Sequence, residues 1–129
     1  MGTLGWNAAL ILLVVLAQPL TASGQAPRCA PGMSNDACDQ WQFEQADKQL
    51  GEVVNNKLSE LARRSAIERS NEVARASLVE AQRVWQLFRD AECKAKVAAN
   101  MVSARTRQGL TSACLLSLTQ QRITDVGRF

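Results

Sequence analysis

Apolar side chains recur at helical intervals along most of this chain. Phe43, Leu50, Val54, Leu58 and Leu61 follow one another at seven, four, four and three residues, the spacing of one helix face. Leu78, Ala81, Trp85 and Phe88 recur at three, four and three. A third row runs through Leu110, Cys114, Leu118 and Ile123, flanked by Leu115. Between Gly51 and Gly109 there is no other glycine and no proline. Ala, Glu, Arg, Leu and Gln dominate this stretch, and all favour helix. The pattern predicts three helices and no strand. Ser34 or Asn35 is placed to cap the first. Ser65-Ala-Ile-Glu68 has the form of a capping box, and Ser70 or Asn71 could cap slightly later. A turn is therefore expected within 63–71, with one continuous helix through this region as the alternative. A second turn is expected between Asn100 and Thr111, around Gly109, and Gly127 should end the third helix. Trp85 and Phe88, lying on the second stripe, are read as core.

The N-terminus has a different character. Residues 1–27 carry no charged side chain, and Ala8 to Ala17 is an unbroken apolar run of ten. That suits the core of a signal peptide and is short of the ~20 residues a membrane span needs. Pro19 and the small residues Thr21, Ala22, Ser23 and Gly24 follow, so cleavage is expected after Gly24. No Lys or Arg precedes the apolar run, which leaves an uncleaved anchor as the alternative. The organisation read from the chain is a signal peptide over 1–24, a Pro/Gly loop over 25–34 and a helical domain over 35–129. Export to the periplasm or the medium follows, with no stable membrane span after cleavage.

The cysteines agree with export. Cys29, Cys38, Cys93 and Cys114 lie 9, 55 and 21 residues apart, with no C-x-x-C pair. An even count behind a signal sequence reads as two disulfides in an oxidising compartment. Folding the helices back on one another, about residue 66 and again about 103 or 104, brings Cys38, Cys93 and Cys114 to one end. Cys93–Cys114 with Cys29–Cys38 is the preferred pairing, because Cys29 reaches Cys38 whatever the bundle geometry. Cys38–Cys93 with Cys29–Cys114 stays open. The expected fold is all-α: a small antiparallel three-helix bundle, a long helical hairpin plus a third helix, stapled by two disulfides. Cross-links matter at this size, because a small domain buries a modest share of its surface.

Composition narrows the chemistry. The chain has 129 residues, 15 Lys+Arg against 12 Asp+Glu, a net charge of +3, no His and no Tyr. Without His there is no usual general base, no Ser-His-Asp triad and no common zinc ligand. No glycine pattern could cradle phosphate. Asp90 and Glu92 stand two apart on a helix and point to different sides, so they make no catalytic pair. No cofactor, no metal and no catalytic residue are expected; the protein is read as a non-enzyme. Arg63, Arg64, Arg69, Arg75 and Arg83 are interleaved with Glu60, Glu68, Glu72 and Glu80, which describes a solvated, salt-bridged face and not a nucleic-acid stripe. Asp47 falls on the apolar face of the first helix. The antiparallel fold brings it near residues 85–89, so a partly buried Asp47–Arg89 or Asp47–Arg122 pair is expected.

The run Ala81-Gln-Arg-Val-Trp-Gln-Leu-Phe-Arg-Asp-Ala-Glu-Cys93 resembles the signature of the LprI-like lysozyme-inhibitor family, N-terminal domain. Asn35-Asp-Ala-Cys38 with Ala46-Asp-Lys-Gln-Leu50 resembles its first helix, and Cys114 to Ile123 its last. The resemblance covers about residues 29–126. Gly51 and Val54 depart from the usual Asn and Tyr, Val102 to Gln108 replaces a Gly/Ser-rich stretch, and the namesake's lipid-attachment Cys is missing. The resemblance implies a helical, extracytoplasmic protein of the bacterial envelope with a protein partner, lysozyme or another peptidoglycan hydrolase. It marks Asp47, Trp85, Phe88, Arg89, Asp90 and Arg122 as the structural signature. Asp36, Asp39 and Glu44, early in the first helix, are the candidate partner-binding residues. A non-inhibitory helical interaction module of the envelope is the alternative reading.

Overall fold

A computed structural model describes residues 28–65, 67–100 and 106–129. The leader expected over 1–24 lies outside them. Three helices are present: α1 (Asn35–Ser65), α2 (Arg69–Ala99) and α3 (Arg107–Arg128). Ser34 caps α1, its hydroxyl accepting from the Ala37 amide at 3.3 Å. Pro31-Gly32 makes the turn before it. Gly32 has φ +85°, which a glycine adopts without strain, and the Met33 amide closes the turn onto the Ala30 carbonyl at 3.2 Å.

The first turn falls within the expected window, but not by the expected device. Ser65 is the last residue of α1, and its hydroxyl donates back to the Ala62 carbonyl at 2.8 Å. It is therefore spent on α1 and does not open α2. Glu68 takes the N-cap position in extended conformation, without a side-chain cap. Thr106 caps α3, its Oγ1 accepting from the Gly109 amide at 3.1 Å. Gly109 thus lies inside the first turn of α3 rather than in the connection. Gly127 lies one residue before the end of α3.

α1 and α3 run parallel: Asp36 meets Thr106 and Gln40 meets Gln108 at their starts. α2 runs antiparallel to both. Leu50, Val54 and Val126 form the central cluster, with Val53, Leu58, Trp85 and Ile123 packed against it. At ~1.5 Å per residue α1 and α2 are ~46 Å long and α3 ~33 Å. Phe129, just past α3, lies beside Ser77, Leu78 and Ala81. The far end of the α1–α2 hairpin therefore extends beyond the third helix.

Two seams differ from expectation. On α2 the buried positions are Leu78, Arg89, Cys93 and Val97, with Trp85 partly buried. After Trp85 the seam advances by four residues each time, so Arg89 turns inward and Phe88 outward. Phe88 is 54% exposed, contrary to its reading as core. On α3 the buried row is Ser112, Thr119 and Val126, seven residues apart, and not Leu110, Cys114, Leu118 and Ile123. Small side chains in that row let α3 lie close against α1.

Candidate partner-binding surface

The helical signature converges on a single stack at the middle of the bundle. Arg89 Nη1 donates to Asp47 Oδ1 at 2.6 Å and to Thr119 Oγ1 at 3.3 Å, while its Nε donates to Asp90 Oδ1 at 2.9 Å. One guanidinium thus links all three helices. Its side chain is only 8% exposed, and a buried cation is tolerated because Nε and Nη1 are hydrogen-bonded, two of the three bonds being to carboxylates. The planar group also lies between rings, 5.3 Å from the centre of Phe43 and 5.1 Å from that of Trp85. Arg122 covers the same indole at 5.7 Å and donates to Gln82 at 3.2 Å. Of the two expected pairs, Asp47 takes Arg89; Arg122 is committed to Trp85 and Gln82. Asp47, Trp85, Arg89, Asp90 and Arg122 are thereby one unit, and Phe88 stands outside it.

Cys93 follows Arg89 by one helical turn and is bonded to Cys114, with Cα atoms 5.6 Å apart. Cys29 is bonded to Cys38, with Cα atoms 5.5 Å apart. Both bonds lie at one end of the bundle, where α1 and α3 start and α2 finishes. Asp36 is committed there. Its carboxylate accepts from the Thr106 amide at 3.3 Å and from the Thr106 hydroxyl. It also covers Gly109, where any Cβ would collide with it. Asp36 is thus a link between α1 and α3 as well as a first-turn acid suited to the helix dipole. Asp39 is half-buried and Glu44 exposed. Gln108 donates to Gln40 at 2.7 Å, and Gln40 in turn donates to Glu44 at 3.1 Å.

Beside this acidic edge lies an open groove of about 480 Å³. Phe43, Val97 and Leu115 supply its apolar floor, and Asp90, Lys94 and Arg107 its charged rim. The end therefore presents both signs of charge around an apolar centre. The sequence pattern places Phe43 only in the first apolar row, and marks neither Thr119 nor Arg107. Phe43 was legible, being one turn before Asp47 on the same face; Thr119 falls opposite Arg89 when α2 is folded onto α3. The described residues contain no group of three or more His, Cys, Asp or Glu side chains able to hold a metal. They also contain no helix long and apolar enough to cross a membrane.

The family model of the lysozyme inhibitor LprI matches residues 28–126. No curated protein and no solved structure matches the chain. The family match spans almost every described residue, so the chain belongs to the LprI lysozyme-inhibitor family, whose members are not enzymes. Membership implies lysozyme inhibition, and with the two disulfides it makes an extracytoplasmic protein.

Proposed function

We propose that the protein is exported through a signal peptide over residues 1–24 to the periplasm or the medium, and that residues 35–129 inhibit an animal-type lysozyme there. The family match carries this reading. We place the inhibitory contact at the cysteine-tied end. The loop at residues 28–34 is held to α1 by Cys29–Cys38 and turned by Pro31-Gly32, so little freedom is lost when it docks. Electrostatics argues for a local patch. Animal lysozymes are basic and this chain has net charge +3, so long-range steering is repulsive unless nearby acids face the enzyme. Asp39 and Glu44 are the acids we assign to that task. Asp36, engaged with Thr106, shapes the edge they stand on.

The test is lysis of a bacterial cell-wall suspension by an animal-type lysozyme, followed as turbidity, with the exported protein added. Inhibition is expected, and it should weaken in Asp39→Asn/Glu44→Gln and as salt rises past about 0.15 M, where the Debye length is about 8 Å. Full inhibition by the double variant at both salt levels removes this surface from the proposal. No inhibition by the native protein favours a non-inhibitory envelope module, a reading supported by the outward apolar face of α2.

A further inference from the structure

α2 carries two apolar faces. One, through Leu78, Trp85 and Cys93, packs into the bundle. The other points away, since Val84 and Cys93 are nine residues apart, which is two and a half turns at ~3.6 residues per turn. Along it, Val73, Ser77, Glu80, Val84, Leu87 and Ala91 succeed one another at alternating intervals of four and three. Lys94 and Ala98 continue the alternation. This is the spacing of a coiled-coil seam, and every position in it is exposed. Val73 is 65%, Val84 48% and Leu87 62% exposed, with Phe88 alongside. Val84, Leu87, Phe88 and Ala91 make an exposed apolar centre on the order of a few hundred Å², with Glu80 and Lys94 on either side of it along the row.

We infer that this face binds a second copy of the chain, with the two α2 helices antiparallel and the two-fold axis at Leu87. Charge selects both occupant and direction. Centring the pair on Leu87 sets Leu87 against its own copy and Val84 against Ala91, a large residue against a small one. It also sets Glu80 against Lys94 of the second copy, twice by symmetry. Arg83 and Asp90 lie on the same flank of α2, and in an antiparallel pair like flanks meet, so Arg83 falls beside Asp90 of the second copy. A parallel pair would oppose Glu80 to Glu80 and Lys94 to Lys94, which is repulsive at both layers. Polar residues at seam positions commonly set register and orientation in this way. The seam pairs over ~35 Å of helix and closes ~1,200 Å², the lower end for a stable interface. Dissociation in the micromolar range is therefore expected.

The test is a charge swap read by sedimentation equilibrium of the exported protein across the micromolar range. Glu80→Lys and Lys94→Glu should each weaken the dimer tenfold or more, and the double variant Glu80→Lys/Lys94→Glu should regain it. Leu87→Glu should give monomer. All three positions changed are exposed, and circular dichroism should show the helical fold retained in the four variants. A native chain that stays monomeric throughout overturns the inference. So does a dimer that the single variants leave unchanged, or one that the double variant fails to restore.

Discussion

The two ends of the hairpin are built from similar sequence and held together very differently. At the cysteine-tied end three helices meet, two disulfides close and Asp36 bridges α1 to α3, and one turn further in Arg89 joins all three helices. At the opposite tip α3 has already ended. Leu61 and Leu78 are the buried apolar residues there, and the turn exposes Ile67 at 91%. The ion pairs near the tip, Arg64–Glu60 and Arg75–Glu72, lie within single helices and tie nothing across the bundle. Both ends are equally helical by propensity. What separates them is the number of elements in contact, so the tip should open locally at lower cost.

The largest effect should follow from Trp85→Ala. The indole packs on the central cluster and carries two guanidinium groups against its ring, so a loss of about 3–4 kcal/mol is expected. Thermal unfolding should show a melting temperature lower by more than 10 °C, roughly, at 4–8 °C per kcal/mol. An unchanged melting temperature would mean the stack contributes little to the difference between the ends. Replacing Cys93 and Cys114 together by Ala removes a cross-link spanning 21 residues, which should cost about 3 kcal/mol in urea unfolding. Asp47→Asn leaves Asp90 and Thr119 on the buried guanidinium, so about 1–2 kcal/mol is expected, the scale of one charged hydrogen bond.

At the tip the corresponding test should find little. Ile67→Ala should shift stability by less than about 0.5 kcal/mol, and hydrogen exchange should be fastest from the end of α1 through the start of α2. Slow exchange there would remove the contrast. Smallest of all is an acid effect. Hydrogen bonding from Lys57, with Arg64 nearby, holds the Glu60 carboxyl below its usual 4.5; Arg75 does so for Glu72 and Arg83 for Glu80. A carboxyl depressed in the folded state contributes stability above pH 4.5, lost as pH falls through the lowered value. Glu72 and Glu80 are exposed and Glu60 is half-exposed, so the acid loss should be slight, and helicity at the tip should decline first.

The same contrast explains what could be read in advance. Three helices were legible from apolar spacing and from the absence of Gly and Pro between residues 51 and 109; the turns were legible from the capping residues within 63–71 and from the region around Gly109. The Asp47–Arg89 contact was legible because antiparallel helices pair residues by a simple reflection. Phe88 was misread because three- and four-residue steps are equally helical. Which one continues a seam depends on the partner helix, and a paired arginine can be buried in place of an aromatic ring.

Local sequence by itself therefore determined the helices, a cap at Ser34 or Asn35, a Pro/Gly loop before it and a preferred cysteine pairing, because each depends on residues close along the chain or on reach alone. Only the tertiary structure decided that α3 meets the bundle through a row of small side chains, Ser112 and Thr119, and not through its row of larger apolar ones. It also decided that Gly109 yields its space to Asp36, that Arg89 is the shared partner of three helices, and that one face of α2 is left over. Those outcomes depend on which surfaces meet, and the energy of a buried charge or an exposed phenyl ring is set by the neighbours that folding brings to it.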